Sequence, residues 1–311
     1  MNTILITTSS FGKNDPGATE KLKHAGFSVV LNPYGRKLTE AEVTGLIREH
    51  APVGMIAGVE PLTREVLQKA GDLKAISRCG IGMDAVDLKA ANKLSIAVTN
   101  TPDAPTIPVA ELTLGLMLSL LRKIHLSDAS IRKGEWHRPM GNLLHGKTIG
   151  LIGCGRIGTY LAKLLSSFDC TVLGHDPVCQ RRNYYRLLDL SDMLSQSDII
   201  SLHLPYNAEN HHLIDVEKIR MMKKGAMLIN ASRGGLVDED ALYDALVSGH
   251  LSGAALDCFE QEPYAGRLKE LDTVLFTGHV GSYATEGRIM MEKQAVENLL
   301  EMLGIKCQRT A

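Results

Sequence analysis

The stretch from Lys147 to Asp176, KTIGLIGCGRIGTYLAKLLSSFDCTVLGHD, limits what this chain can fold into more than any other. A short apolar run, Thr148–Ile152, reads as a buried parallel strand. It meets Gly153, Gly155 and Gly158 in the spacing G-x-G-x-x-G, after which Ile157, Leu161, Leu164 and Leu165 share one helical face. A second strand is expected over Thr171–Gly174, with Asp176 at its end. Strand, glycine turn, helix, strand and acid in that order make a dinucleotide-binding unit. Gly153 permits the tight turn, Gly155 leaves space for a pyrophosphate, and Gly158 lets the helix lie close to the strand. The phosphates would rest on the helix N-terminus at Arg156 and Ile157, where free N–H groups and the helix dipole favour anions. Asp176 stands 18 residues beyond Gly158. A carboxylate there binds ribose hydroxyls and repels a 2′-phosphate, so the expected cofactor is NAD rather than NADP. Arg181 and Arg182 weigh slightly the other way, because a nearby Arg can accept that phosphate.

At 311 residues the chain has room for two domains. Its net charge of −1, with 34 scattered basic residues, argues against a nucleic-acid partner. The N-terminus, MNTILITTSS, has neither a basic head nor a long apolar core, so no signal peptide is expected. The most apolar segment, Leu112–Leu121, is far short of the ~20 residues a bilayer span needs. A cytoplasmic protein without membrane partners is therefore expected. The six cysteines, Cys79, Cys154, Cys170, Cys179, Cys258 and Cys307, form no C-x-x-C pair and no metal-ligand spacing, and read as reduced thiols. No metal is expected.

Upstream of the glycine turn, strands are expected at 2–8, Phe27–Leu31, Val53–Ala57, Leu73–Ser77 and Ile96–Thr99. Helices alternate with them at Asp15–Ala25, from Thr39 to about His50 and at Thr63–Ala70, with Thr39 and Glu42 forming a capping box. Alternation of this kind implies a parallel sheet covered on both faces. One loop here is distinctive: Ser77-Arg78-Cys79-Gly80-Ile81-Gly82-Met83-Asp84 follows a strand end, where open α/β sheets bind ligands. Gly80 and Gly82 could bare backbone N–H groups as a nest for a carboxylate, with Arg78 adding charge. The alternative is a simple glycine-rich turn with Asp84 capping the next helix. Thr101–Pro105 reads as a hinge, and the helix from Pro108 to Lys123 is apolar nearly all round, as a buried helix would be. Glu111 within it is read as a local cap or pair, and the single Trp136 as a packing residue. After the turn, strands are expected at Asp198–His203, Ala226–Asn230, Gly253–Leu256 and Val274–Phe276, with a last amphipathic helix over Ala284–Leu303. The boundaries are 1–101 for the first domain, completed by 283–311, and 102–282 for the nucleotide domain.

Three polar residues follow strand ends in the second domain: Arg233, Glu262 and His279. Bound NAD implies hydride transfer, and oxidising an alcohol also releases a proton that needs a base. Histidine suits that task near neutral pH. A carboxylate that hydrogen-bonds the ring orients it, and an Arg can grip a substrate carboxylate bidentately. Each also has a plain alternative: a surface arginine at a turn, one of several solvated acids, a capped loop histidine.

In these residues the chain resembles the D-isomer-specific 2-hydroxyacid dehydrogenases, and within them the phosphoglycerate dehydrogenases. Ser-Arg-Cys-Gly-Ile-Gly-Met-Asp at 77–84 is similar to the family's substrate loop, Val-Ala-Glu at 109–111 to its interdomain helix, and 153–158 to its cofactor turn. His-Leu-Pro at 203–205 is similar to the strand over the adenosine side. Asn-x-Ser-Arg-Gly-Gly-x-Val-Asp at 230–238, Asp-x-x-x-x-Glu-Pro at 257–263 and His-Val-Gly-Ser at 279–282 are similar to the catalytic signatures. The resemblance implies a flavodoxin-like substrate domain plus a Rossmann NAD-binding domain, two doubly wound parallel-sheet α/β domains in all, and a homodimer. It implies that Arg233 binds the substrate carboxylate and carbonyl, that His279 is the acid/base and that Glu262 pairs with it. Backbone N–H groups at Ile81 and Gly82 would hold the carboxylate, with Arg78 beside them. Asp257 would hold the nicotinamide carboxamide with Ala231 and Gly281 nearby, and His203 and Pro205 would flank the cofactor.

Departures from the pattern bear on substrate and cofactor affinity. Gly278 stands where the family has Pro, Ala85 and Thr106 where Asn is common, and Tyr206-Asn207-Ala208-Glu209-Asn210 where threonines are favoured. The chain ends soon after its last helix, so the regulatory domains of longer phosphoglycerate dehydrogenases are not expected. The implied reaction is NAD-dependent interconversion of a small D-2-hydroxy acid and its 2-oxo acid, with 3-phosphoglycerate one candidate. A glyoxylate or hydroxypyruvate reductase is the alternative, and an NADH-sensing corepressor-like protein the alternative of another class. A phosphate would call for cations beyond Arg233, with Arg78, Arg132, Lys133 and Arg138 as candidates. Closure of the domains on substrate is expected, hinged near Thr101–Pro105 and Ser282–Thr285.

Overall fold

The computed structural model describes residues 2–179 and 183–305; Arg181, Arg182 and Cys307 lie outside them. The chain divides into two compact units, one running to Pro105 and resuming at Ser282, the other spanning Thr106–Gly281. In the first unit β1 (Thr3–Ile6), α1 (Gly17–His24), β2 (Ser28–Leu31), α2 (Glu40–His50), β3 (Gly54–Ala57), α3 (Arg64–Gln68), β4 (Ala75–Arg78), α4 (Leu88–Lys93) and β5 (Ala97–Asn100) alternate without interruption. The strands pair in the order β2-β1-β3-β4-β5, all parallel, which is the flavodoxin-like winding. Helices cover both faces, so the central β3 is buried at every residue and reads as an unbroken apolar run. Side-chain caps fix where the helices start. Thr39 and Glu42 complete a capping box on α2, and Thr63 caps α3. The cap of α4 is Asp87, whose Oδ1 accepts the Ala90 N–H at 2.8 Å, and not the Asp84 expected from sequence.

The second unit begins with α5 (Thr106–Leu121) and α6 (Ile124–Arg132). It continues through β6 (Thr148–Ile152), α7 (Arg156–Leu165), β7 (Thr171–His175), β8 (Arg186–Leu187), α8 (Leu190–Gln196) and β9 (Ile199–Leu202). Then come α9 (Val216–Met221), β10 (Ala226–Asn230), α10 (Glu239–Val247), β11 (Leu251–Leu256) and β12 (Val274–Phe276). The strand order β12-β11-β10-β9-β6-β7-β8 is all parallel and reverses direction between β6 and β9. That is the Rossmann winding, whose crevice at the reversal is where such sheets bind ligands. Two apolar cores flank the sheet. One, including Leu194, Ile214 and Leu242, lies under α8–α10; the other, including Met117, Leu121 and Leu161, lies under α5 and α7. Within this chain the helix after Thr106 is buried along one side. Val109, Ala110, Thr113, Leu116, Met117, Leu120 and Leu121 are buried, whereas Glu111 and Gly115 lie on an exposed side. Trp136 is likewise not a packing residue within this chain, being 81% exposed in the irregular segment after α6. No helix of the described residues is long and apolar enough to cross a membrane.

The last helix, α11 (Thr285–Met302), lies on β3, β4 and β5 and against α1, and so closes one face of the first unit. Met291, Ala295, Val296, Leu299 and Leu300 are buried beneath it. Gly54 makes the close approach possible, because a Cβ there would come within 2.8 Å of Ile4, 3.1 Å of Leu303 and 3.2 Å of Leu299. One buried ion pair interrupts the apolar contact: Arg288 Nη2 meets Glu292 Oε1 at 3.2 Å. Glu292 Oε2 accepts the Gly12 N–H at 3.0 Å and Arg288 donates to Ser10 Oγ at 2.9 Å, which ties down the loop after β1. Deleting the Leu299 side chain leaves a cavity under α11, so Leu299→Ala is expected to cost about 2–5 kcal/mol. Urea unfolding of the first unit checks this, and a loss under about 1 kcal/mol would mean that the helix is not docked as seen.

Candidate active site

The glycine turn sits at the reversal of the second sheet, and each glycine has its own reason. Gly153 has φ +95° and lies against the next strand's exit: a Cβ there would come within 2.5 Å of the His203 carbonyl oxygen. A Cβ on Gly158 would come within 2.2 Å of the Gly153 carbonyl oxygen, so this glycine lets α7 dock on the turn. Gly155 differs, because a Cβ there would meet nothing within 4 Å. It is exposed and caps α7 without any side-chain hydrogen bond, at a helix N-terminus whose dipole favours an anion. Open space at the glycine that faces a pyrophosphate, beside an uncapped helix start, fits a dinucleotide.

Asp176 ends β7 and turns back on the same loop. Its Oδ2 accepts the Cys154 N–H at 2.8 Å and its Oδ1 accepts the N–H groups of Val178 and Cys179 at 2.9 Å. Burial pushes the carboxyl up, but these three N–H donors outweigh it and hold it below its usual value. Asp176 is thus an anion fixed to the turn, with Oδ2 the less occupied oxygen. Across the crevice, His203 follows β9. Its ring nitrogens are buried, Nε2 lies 2.8 Å from Ser201 Oγ, and among the described residues Nδ1 has no partner. Burial pushes this imidazole down to about 4, so it is neutral. Pro205 is exposed beyond it, and Ala231 is half-buried at the exit of β10.

The three residues singled out for chemistry occupy successive turns after β10, β11 and β12. The structure brings two of them together: His279 Nδ1 lies 2.9 Å from Glu262 Oε1 and 3.0 Å from Oε2. The carboxylate thereby occupies one ring nitrogen and directs Nε2 away from it. Arg233 lies one strand over, with its Nη1 on the Ser232 carbonyl at 2.7 Å. It and Glu262 both act electrostatically on the buried Cys258 thiol.

This geometry is held by residues that sequence reasoning leaves without a role or assigns elsewhere. The resemblance assigns Asp257 to the nicotinamide. The structure shows its buried carboxylate engaged by its own chain: Oδ1 accepts from Thr277 Oγ1 at 2.6 Å and the Val280 N–H at 2.8 Å, and Oδ2 accepts the Gly281 N–H at 2.8 Å. His279 is pinned from both sides at φ +55°, a left-handed conformation that histidine tolerates better than most side chains. Gly278, where the family has Pro, therefore sits in a loop that Asp257 already holds. Asn230 does the same for the arginine loop. Its Nδ2 donates to the Arg233 carbonyl at 2.8 Å and its Oδ1 accepts the Ser232 N–H at 3.1 Å. Gly234 permits the two loops to touch, since a Cβ would lie 1.8 Å from the Phe259 carbonyl carbon. Asn230 and Gly234 lie inside the motif at 230–238, so their signal is present in the sequence, where the motif points first to the arginine. The buried thiols are inert: burial pushes Cys154 up to about 12, Cys79 to about 11, and Cys258 up as well.

In the first unit, the loop at 78–84 follows β4. Gly80 has φ +139°, and its own N–H is taken by Thr101 Oγ1 at 2.7 Å. The nest expected of Gly80 and Gly82 therefore reduces to the half-exposed Ile81 and Gly82, with Asn100 Nδ2 holding the Ile81 carbonyl at 2.7 Å. Arg78 bends back over Gly80 to the Cys79 carbonyl. A buried carboxyl unremarked in the sequence, Glu60, accepts from Thr7 Oγ1 and from the Gly58 N–H. Burial pushes it up, and Thr7, neighbouring N–H groups and Arg78 oppose the shift. Arg132 is exposed and spends its guanidinium on Asp128 at 2.7 Å; Lys133 and Arg138 are exposed beyond it.

The chain is similar to known proteins over most of its length. Residues 114–281 match the family model described as D-isomer specific 2-hydroxyacid dehydrogenase, NAD binding domain. The chain is 41% identical over 259 residues to D-3-phosphoglycerate dehydrogenase of Methanocaldococcus jannaschii; the match covers 81% of this chain and 49% of that protein, so the chain spans about half its length. It is 35% identical over 299 residues to hydroxypyruvate reductase of Thermotoga maritima, covering 94% of this chain and 97% of that one. Among solved structures, the TT0316 protein of Thermus thermophilus superposes with a TM-score of 0.89 at 38% identity, over 98% of each chain.

The contrast among the glycines is testable. Gly155→Ala is expected to fold normally and lose NADH affinity, whereas Gly158→Ala is expected to lower the melting temperature as well. Equal NADH titrations for wild type and Gly155→Ala would remove the turn from the cofactor site. The neutral His203 gives a pH signature. Its folded value near 4 lies below the ordinary histidine value of 6.5, so its contribution is complete above 6.5 and is lost as pH falls towards 4. Melting temperatures measured between those limits are expected to fall more steeply for wild type than for His203→Gln; parallel curves would contradict the burial.

Proposed function

Because the chain belongs to the D-isomer-specific 2-hydroxyacid dehydrogenase family, we propose that it interconverts a small D-2-hydroxy acid and its 2-oxo acid with NAD as the hydride carrier. The observation that carries this reading is the His279–Glu262 pair on the carboxyl edge of the same sheet whose turn fits a dinucleotide. Bound NAD supplies the hydride acceptor at the substrate's C2. Everything else falls to the chain. Glu262 holds Nδ1 of His279, so Nε2 takes the hydroxyl proton on oxidation and returns it on reduction. Arg233 grips the carboxylate and polarises the C2 oxygen, a task for a planar guanidinium. The N–H groups of Ile81 and Gly82 hold the substrate carboxylate, with Arg78 adding charge. Asp257 fixes the His279 loop through Val280 and Gly281 and presents what acceptor capacity remains to the nicotinamide amide. Gly153, Gly155 and Gly158 seat the pyrophosphate, Asp176 the ribose, and His203, Pro205 and Ala231 line the cofactor.

For the substrate itself, we favour an unphosphorylated 2-oxo acid of glyoxylate or hydroxypyruvate size. Arg78 has the Glu60 carboxyl as an electrostatic neighbour, and Arg132 is already paired with Asp128. A phosphate dianion wants cations without such competition. The relative that matches almost end to end is named a hydroxypyruvate reductase, which supports the same reading. The second reading, 3-phosphoglycerate, rests on the name of the relative matched over about half its length.

A panel of glyoxylate, hydroxypyruvate, phosphohydroxypyruvate and 2-oxoglutarate with NADH is expected to give the highest kcat/KM for one of the first two. A maximum at phosphohydroxypyruvate would overturn the substrate choice while leaving the reaction class intact. His279→Gln is expected to lower kcat by roughly 10²–10⁴-fold with NADH binding unchanged; near wild-type turnover would take His279 out of the mechanism. NADH is expected to outperform NADPH, and the reverse order would contradict the role given to Asp176.

A further inference from the structure

Away from the His279–Glu262 pair, His211, His212 and Glu260 stand together between the loop after β9 and the loop after β11. One ligand atom from each, a ring nitrogen of either histidine and a carboxylate oxygen, lies within 4.8 Å of the other two. His212 Nε2 and Glu260 Oε1 already form a short ion pair. The two imidazoles stack with centroids 3.8 Å apart and planes inclined by 25°, and His211 Nδ1 also meets the Tyr206 hydroxyl at 3.2 Å.

The backbones that carry these side chains are fixed independently of one another. Asn207 closes a capping box at the start of the first loop, and at its end the Ile214 N–H donates to the Leu236 carbonyl at 3.0 Å. The His212 N–H donates to the Gly235 carbonyl at 2.8 Å, with His212 at φ +52°. On the other loop, the Glu260 N–H donates to Glu239 Oε1 at 2.9 Å, and Gly234 lies so close that a Cβ would come within 2.2 Å of the Glu260 nitrogen. Assembling a ligand set here therefore needs side-chain rotation and not loop ordering. Ligand atoms at about 2.1 Å from a tetrahedral ion stand roughly 3.4 Å apart, so the widest separation must close by about 1 Å or a little more while the short His212–Glu260 pair opens. Such a movement is within reach of the exposed His211 and Glu260.

The local charge also asks for a cation. Glu239 accepts the Glu260 N–H at 2.9 Å, so a second carboxylate lies beside Glu260. Two imidazoles and one carboxylate form a borderline-soft set that suits zinc-class ions better than calcium or magnesium, which take oxygen ligands. We propose that His211, His212 and Glu260 bind a divalent transition-metal ion of the zinc class, joining the two loops. The plain alternative is a proton shared by His212 and Glu260, and this is what the experiment must exclude. The site does not depend on the proposed reaction, although Glu260 stands two residues before Glu262 on the same loop.

Zinc chloride titrated calorimetrically into the chelator-stripped full chain is expected to show one stoichiometric site. His211→Ala and Glu260→Gln are each expected to weaken it by roughly tenfold or more. His145→Ala, an exposed histidine paired with Asp169 elsewhere, is expected to leave it unchanged. Equal metal-free melting curves for the variants separate ligand loss from misfolding. Cobalt(II) in place of zinc is expected to give visible d–d bands without the near-ultraviolet charge-transfer bands of thiolate ligands. No stoichiometric binding to the wild type, equal binding by the variants, or thiolate bands would each overturn the proposal.

Discussion

The buried Asp257 carboxylate is the contact on which the arrangement of the second unit's edge depends. It takes Thr277 before the histidine and Val280 and Gly281 after it, so the imidazole has no freedom to leave its position by moving the loop. A buried carboxylate is costly unless its lone pairs are used. Here the chain uses them on the segment that must stay still. The positive φ of His279 follows from the same clamp, since the two N–H groups that converge on Asp257 require the chain to turn sharply at the residue before them. Glu262 then has to do only the remaining task, which is to set the rotation of the ring. Division of labour between a carboxylate that fixes backbone and one that fixes a side chain leaves Nε2 as the ring nitrogen for chemistry.

Close backbone approach plays the corresponding part for the other two loops. Gly234 brings the arginine loop against Phe259 and Glu260, and Asn230 ties both sides of Arg233 to the end of β10. The glycine turn is built the same way, with Gly153 against the exit of β9 and Gly158 against Gly153. In each case a missing Cβ allows adjacent strand exits to meet, and the meeting places a polar group at the sheet edge. Within the turn, Gly155 alone faces open space, which separates a glycine retained for a ligand from glycines retained for packing.

Much of this is legible in the sequence because the signals are local. Strand exits followed by Gly, Asp, Arg or His are visible as motifs, and alternating apolar runs place both parallel sheets. Caps with a side-chain partner three residues on, such as Thr39 with Glu42, are readable too. What the sequence does not show are the interactions that are long in sequence. Asp257 reaches 23 residues to Val280, and nothing in its own motif says that its carboxylate is occupied by backbone. Gly80 reads as part of a nest, but Thr101, 21 residues away, takes its N–H. Glu60 carries no signal in the sequence, and only the fold of β1 beside β3 buries it against Thr7. Short elements without strong periodicity, such as α4, α6 and β8, leave no pattern to detect. The exposed Trp136 misleads because a large aromatic is usually core, and composition alone carries no information about which face of a segment has a neighbour.

The same contrast between local and distant partners shapes how charge is distributed. Two carboxylates at the sheet edge, Asp176 and Asp257, are held largely by backbone N–H groups. Backbone donors stabilise a carboxylate without neutralising it, so Asp176 keeps its full charge towards a ribose or a 2′-phosphate. Arg233 and Glu262, by contrast, both act electrostatically on the buried Cys258 thiol. The tight packing of Gly234 against Phe259 and Glu260 fixes the spacing of their two loops in the backbone, where side-chain mobility cannot undo it.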